Sequence, residues 1–192
     1  MTIIEILQYY GSNVITNYRL SKYFYCFSIF LYEIMFSIFV GMNKVARYER
    51  IYQQISDLMQ KCADRQARMA TICAVLHHKL PHFFWTGFYI LKDGHLMVST
   101  YQGPLACMEL NKDQGVCWAG IRSGKTIIVN DVHQFEGHIA CDSRSKSEIV
   151  VPFHTIDGEV SGVLDIDSES FNSFDETDAA WLGKIISLIS RG

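Results

Sequence analysis

The chain has 192 residues and a mass of 22.0 kDa, which leaves room for one domain of about 100–200 residues plus an appendage and too little for two packed domains. Lys and Arg total 17 against 20 Asp and Glu, a net charge of −3, which argues against a nucleic-acid binder with its basic stripe. With 49% apolar residues and only 3 prolines, the composition is that of a core-forming chain rather than a disordered one.

Eleven of the 25 aromatic residues fall within the first 41 positions. Residues 23–40 carry one formal charge, Glu33. A stretch of that length is at the lower limit of a membrane span, yet a mid-span carboxylate costs roughly 2.5–3.5 kcal/mol on an insertion scale. As a cleaved signal peptide the segment is wrong, because Glu5 precedes any positive charge and no small-residue cleavage site follows. Met42 then opens the charged, amphipathic NKVARYERIYQQISDLMQ. Three readings of 1–41 stand: upstream sequence translated from an early start codon, a membrane anchor or interfacial helix, or a buried helical extension. The expected organisation is an apolar aromatic leader over 1–41 and one folded domain over 42–192.

From residue 45 to residue 80 apolar side chains recur at helical spacing, among them Ile51, Ile55, Leu58, Met69, Ile72 and Leu76. They predict one long helix or two short ones, closed by Pro81. Cys62 and Cys73 fall on the same stripe, where a small buried thiol is the default. Residues 83–91 (FFWTGFYIL) read as a strand, and Asp93-Gly94 supplies a tight hairpin returning through 96–101. A short helix is predicted over 115–123 and a strand over 126–129. Residues 131–147 form a polar loop, and loops of that length in a compact domain are usually functional. A second hairpin pairs 148–153 with 160–166 around Asp157-Gly158. Ser173 and Glu176 have the spacing of a capping box, ahead of a last helix carrying Trp181, Ile185, Leu188 and Ile189. The pattern is α+β, with a central antiparallel sheet, the N- and C-terminal helices packed on one face, and the other face free to build a pocket.

Three cysteines lie off the helical stripe. Cys107 follows Gly103-Pro104-Leu105-Ala106, Cys117 stands near the start of the 115–123 helix, and Cys141 sits in the polar loop. A thiol at a helix start or in a polar loop can have its pKa lowered toward the thiolate; an ordinary structural cysteine is the alternative at each position taken alone. A disulfide framework needs an oxidising compartment, and the lack of a convincing signal peptide speaks against one, so a cytoplasmic location is expected. His133, His138 and Cys141 share the loop, but their spacing matches no familiar zinc pattern, and no metal is expected. Asp165 and Asp167, two apart at a strand end, point to the same face, and Glu148 opens the partner strand. Three carboxylates on one surface raise at least one pKa and can hold an ammonium or donate a proton. A solvated sheet edge is the bland alternative.

Taken together, FFWTGFYILKDGHL (83–96), QGPLAC (102–107), KDQGVC (112–117), VNDVHQFEGHIACDSRSKSEIVVP (129–152) and GVLDIDS (162–168) closely resemble the free methionine-(R)-sulfoxide reductases, a family built on a single GAF domain. The resemblance covers about 42–190 and leaves 1–41 outside. It implies thiol-dependent reduction of free L-methionine-(R)-S-oxide to L-methionine through a cysteine sulfenic acid and an intramolecular disulfide. A thioredoxin-type thiol is then the co-substrate, and no cofactor is bound. By resemblance Cys141 attacks the sulfoxide sulfur, Cys107 resolves the sulfenic acid, and Cys117 is the third family cysteine, an attacking, resolving or relay thiol. Trp85 and Tyr89 match pocket walls. Glu148, Asp165 and Asp167 match the substrate-binding carboxylates, one of which, kept protonated by its neighbours, is the expected acid.

Two positions depart from the family pattern: Trp118 follows Cys117 where glycine is favoured, and Met108-Glu109 replaces a segment that usually carries a basic residue. The competing class is a non-catalytic GAF sensor of a small molecule or redox state. Expected partners are free methionine sulfoxide and thioredoxin, with no nucleic acid, and a membrane only if 1–41 is genuine. The long N-terminal helix is compatible with a homodimer.

Overall fold

A computed structural model describes residues 42–138, 141–155 and 157–189. The three readings of 1–41 lie outside the described residues. Among those described, no helix is long and apolar enough to cross a membrane. The chain divides into two compact units, Met1–Ala46 and Arg47–Gly192, and the elements that build the site lie in the second.

Two helices, α1 (42–59) and α2 (Arg65–Lys79), occupy the stretch read as one helix or two. Asp64 starts the second: its backbone is extended and its carboxylate accepts from the Ala67 N–H at 2.8 Å, satisfying one of the orphan donors of a helix start. The break corrects the placement of Cys62. It lies in the turn between the helices and is exposed, because the helical register that placed it inward ends at Met59; Cys73 is buried as expected. Arg68 closes the corner from inside, donating to the carbonyls of Met59, Cys62 and Leu188. A buried cation thus meets carbonyls at helix C-termini, where the helix dipole favours it.

Strands β1 (Trp85–Lys92), β2 (His95–Gln102), β3 (Glu109–Leu110), β4 (Ile127–Val129), β5 (Ser147–His154) and β6 (Val160–Ser168) form one antiparallel sheet in the order β3-β2-β1-β6-β5-β4. Asp93 and Gly94 turn β1 into β2 with φ of 51° and 80°, the left-handed pair that a type I′ hairpin needs. The two hairpins join through β1 and β6. Strand alternation then sorts the side chains. On one face Phe88, Ile149, Leu164 and Ile166 pack against α1, α2 and helix α4 (Glu176–Ile186), the arrangement expected for the terminal helices. Helix α3 (Gly115–Ser123) crosses the other face, over Trp85, Tyr89, Val150 and Val163. Each buried aliphatic contributes roughly 1.5–3 kcal/mol, and the larger apolar cluster is on the helix-covered face. Stability is concentrated there, and the α3 face is left able to bury charge.

The capping box of α4 forms at a different pair from Ser173 and Glu176. Asp175 accepts from the Thr177 and Asp178 N–H groups, and Asp178 Oδ2 accepts from the Asp175 N–H at 2.8 Å, the same reciprocal arrangement two residues later. Ser173 Oγ is engaged instead with Ser168 Oγ at 2.8 Å and the Ser170 carbonyl at 2.9 Å. Asp178, fully buried, also accepts from the Tyr48 hydroxyl at 2.7 Å and so ties α1 to α4.

Candidate active site

Alternation along β1, β5 and β6 brings Trp85, Tyr89, Glu148, Asp165 and Asp167 to the face that α3 crosses. Trp85, Asp167 and Glu148 stand in one row across the three strands, and Asp165 stands in the next row, opposite Gly87. Gly87 leaves room for aromatic rings. Trp85 stacks on Tyr89 at 5.8 Å and on Tyr101 at 5.5 Å, and a Cβ at Gly87 would lie 2.5 Å from Tyr101 Cβ and closer still to the Trp85 ring. Gly87→Ala is therefore expected to destabilise the protein by about 1–3 kcal/mol through overpacking. The check is a lower denaturant midpoint at unchanged slope, together with a changed tryptophan fluorescence spectrum as Trp85 leaves its place. The five residues, with Cys117, His138 and Cys141, line an open pocket whose empty space, the solvent at its mouth included, is about 580 Å³.

The loop that carries Cys141 is stapled at both ends. Asp131 caps the short 3₁₀ turn Val132–Gln134, the Val132 N–H donates to the Lys146 carbonyl at 2.9 Å, and the Lys146 N–H donates to the Ser168 carbonyl at 2.8 Å. Just beyond Cys141, the Asp142 carboxylate accepts from the Arg144 N–H at 2.9 Å and from its guanidinium at 2.8 and 3.0 Å. The same guanidinium lies 4.5 Å above the Phe84 ring. Cys107 and Cys141, 34 residues apart, are joined in a disulfide with their Cα atoms 5.6 Å apart. The Tyr89 hydroxyl donates to the Cys107 carbonyl at 3.1 Å and anchors the segment between β2 and β3 to the pocket wall. Cys117 is a free, buried thiol in the first turn of α3. All eight singled-out residues are thus brought together, seven in the pocket lining and Cys107 bonded to one of them.

Burial raises all three carboxyl pKa values, Asp165 to about 6 and Glu148 and Asp167 well above their usual range, with the neighbouring carboxylates adding to burial at the latter two. Asp165 is restrained by the Cys117 and Glu148 side chains and the Ile166 N–H, so it takes the first negative charge of a cluster that titrates as a unit. Its Oδ1 is buried with no hydrogen-bond partner among the described residues, and so is Trp85 Nε1. Each unmet buried polar atom costs about 1–3 kcal/mol, a demand of the kind a bound ligand satisfies.

Of the two readings of Cys117, the lowered thiol pKa is not the one the structure supports. Burial pushes its thiol well up, and the Asp165 and Glu148 carboxylates push the same way, outweighing the N–H groups of the helix start. Cys117 Sγ and carboxylate oxygens of Glu148 and Asp165 all lie within 4.8 Å of one another, a grouping able to hold a metal ion.

His138 was visible in the sequence only as a loop histidine beside His133. The structure separates the two: His133 turns back to Asp131 at 2.9 Å, while His138 Nε2 lies 3.7 Å from Glu148 Oε2 inside the pocket. Burial, then the charge of His133, lowers the His138 pKa, leaving a neutral imidazole beside the acid cluster. The two departures from the family pattern stay outside the lining. Trp118, on α3, is buried with its Nε1 donating to the Leu110 carbonyl at 3.4 Å, Glu109 pairs with His95 at 2.6 Å, and Met108 is exposed.

The GAF domain family profile matches residues 62–192. GAF domain-containing protein A of Dictyostelium discoideum is 42% identical over 150 residues, which are 78% of this chain and 94% of that protein. The free methionine-R-sulfoxide reductase of Escherichia coli strain K12 is 35% identical over 150 residues, 78% of this chain and 90% of that enzyme. The X-ray structure of the free methionine-R-sulfoxide reductase from Neisseria meningitidis in complex with its substrate superposes with a TM-score of 0.73 at 40% identity, over 76% of this chain and 87% of that one. A GAF fold alone would leave function open, but identity at this level over nearly whole relatives settles the kinship. The chain belongs to the GAF domain family and, within it, to the free methionine-R-sulfoxide reductases, which are oxidoreductases.

Proposed function

We propose that this protein reduces free L-methionine-(R)-S-oxide to L-methionine, with Cys141 as nucleophile and Cys107 as resolving thiol. The observation that carries this reading is the meeting of Cys107 and Cys141 beside a pocket floored by acids and walled by aromatic rings. The substrate is a small zwitterion with an S–O dipole and a methyl group. Asp165 and Asp167 receive its ammonium, and Trp85 and Tyr89 face its methylthio end. Its carboxylate meets the first turn of α3, which starts without a side-chain cap and whose Gln114, Gly115 and Val116 line the pocket; free N–H groups at a helix start favour an anion.

The Cys141 thiolate attacks the sulfoxide sulfur. The S–O bond breaks, the oxygen passes to Cys141, and one proton is taken up, so that thiolate, sulfoxide and proton become sulfenic acid and thioether. Glu148 supplies that proton, since its raised pKa keeps it available near neutral pH. The Cys107 thiol then displaces the hydroxyl of the sulfenic acid as water and forms the disulfide. A thioredoxin-type dithiol exchanges with the disulfide and restores both thiols, which places the cycle in a compartment rich in such donors, the cytoplasm. Cys117, held as a thiol by burial, belongs to the acid cluster rather than to the attack. The catalytic domain spans 42–192.

Cys107→Ser separates the two half-reactions. One methionine per chain is expected, with the Cys141 sulfenic acid captured by dimedone and seen by mass spectrometry. Thioredoxin-driven turnover then falls by at least about a hundredfold, near 3 kcal/mol. Turnover at the parent rate with thioredoxin would overturn the assignment of Cys107.

A further inference from the structure

We propose that the pocket floor is also a binding site for a divalent cation of the zinc class, held by Cys117 Sγ, one oxygen each of Glu148 and Asp165, and His138 Nε2. Bonds of about 2.0–2.3 Å in a tetrahedral zinc site put neighbouring donor atoms roughly 3.3–3.7 Å apart. His138 Nε2 already lies 3.7 Å from Glu148 Oε2. Cys117, Glu148 and Asp165 present donor atoms within 4.8 Å of one another, so small side-chain shifts close these three around an ion, and His138, which meets the set through Glu148, completes the tetrahedron by turning its ring toward the other two. The three are buried, and Asp165, 7% exposed as a residue, keeps its Oδ1 without a hydrogen-bond partner among the described residues.

The donors come from four separate places in the fold: α3, β5, β6 and the loop ahead of Cys141. No sequence spacing pattern reveals such a set. One sulfur, one imidazole nitrogen and two carboxylate oxygens suit zinc, and do not suit Mg²⁺ or Ca²⁺, which take oxygen ligands. None of the four donors takes part in the Cys107–Cys141 disulfide, so the site exists in the oxidised protein and whether or not the protein turns over a substrate. A cation there occupies Glu148 and Asp165, and so excludes any ligand that needs those carboxylates.

The test uses the full-length protein in its disulfide form and Co²⁺ as a spectroscopic substitute. One Co²⁺ per chain is expected to bind, with tetrahedral d–d bands and a thiolate-to-cobalt charge-transfer absorption, both erased by added Zn²⁺ and unaffected by excess Mg²⁺. Cys117→Ser is expected to remove the charge-transfer absorption. Glu148→Gln and His138→Ala are expected to keep it while weakening Co²⁺ at least about tenfold, and they remain informative if the serine variant fails to fold. Cys62→Ser, which changes the exposed free thiol between α1 and α2, is expected to change nothing. Absence of the charge-transfer absorption in the parent protein, or its survival in folded Cys117→Ser, would overturn the proposal, as would its loss in Cys62→Ser.

Discussion

Cys141→Ser is expected to lower methionine formation from the free R sulfoxide by about a thousandfold or more, near 4 kcal/mol of transition-state stabilisation. A serine hydroxyl stays protonated at neutral pH, is the poorer nucleophile, and cannot carry the oxygen as a sulfenic acid. Neither of the other two cysteines of the site can take over. Cys117 is buried and its thiol pKa is pushed well up by burial and two carboxylates, so it supplies almost no thiolate. Cys107 is outside the pocket lining. Cys141 itself is exposed, so under reducing conditions the substitution should shift stability by no more than about 0.5 kcal/mol. Chromatographic assay of methionine and denaturant unfolding, run on the same sample, separate lost chemistry from lost folding. Activity within tenfold of the parent would put the nucleophile elsewhere.

Asp165→Asn is expected to act in opposite directions on stability and on binding. The folded-state pKa of Asp165 is raised from 3.8 to about 6 by burial. A group raised in this way favours the fold fully below its unfolded pKa and loses that contribution as pH rises through the folded value. Between about pH 4 and pH 6 the native state binds the extra proton, so stability falls with pH across that window. At about 1.4 kcal/mol per unit the penalty at pH 8 is of the order of 3 kcal/mol, and asparagine removes it. Denaturant unfolding should show the variant more stable than the parent by about 1–3 kcal/mol at pH 8 and nearly equal to it at pH 4. KM should rise at least about tenfold, because a charged hydrogen bond to the substrate ammonium is worth roughly 1.5–3 kcal/mol. Such a trade between stability and activity is common where a site buries charge. A variant less stable than the parent at pH 8 would contradict this account of the acid cluster.

What could be read from the sequence was what local chemistry determines. Asp93-Gly94 forecasts the first hairpin because only residues tolerant of positive φ fit that turn. Helix α3 runs over the predicted 115–123 because Gly124 closes it in the left-handed conformation. Alternation set Asp165 and Asp167 on one face, and the family resemblance named the partners that complete the site. What stayed hidden depends on residues distant in the chain. Strand β3 has two residues and exists only through the pairs Leu96 with Leu110 and Met97 with Glu109, which leave no local period to detect. The row Trp85, Asp167, Glu148 follows from the register of three strands. The Cys117 environment is hidden for the same reason: its helix start is local, whereas the burial that raises its pKa and the carboxylates that add to it come from packing against β5 and β6. His138 meets Glu148 only once the loop is stapled to β6.

The most direct test of a Cys107–Cys141 reductase is a single turnover without external thiol. Fully reduced, full-length protein is mixed separately with free methionine R- and S-sulfoxide, methionine is counted per chain, and the cysteines are mapped after alkylation. The expected result is one methionine per chain from the R isomer alone, with Cys107 joined to Cys141 and Cys117 recovered as a thiol. Methionine formed while Cys107 and Cys141 stay reduced would contradict the cysteine assignment. Stoichiometric binding of the R isomer with no methionine released would contradict catalysis itself and make the pocket that of a sensor.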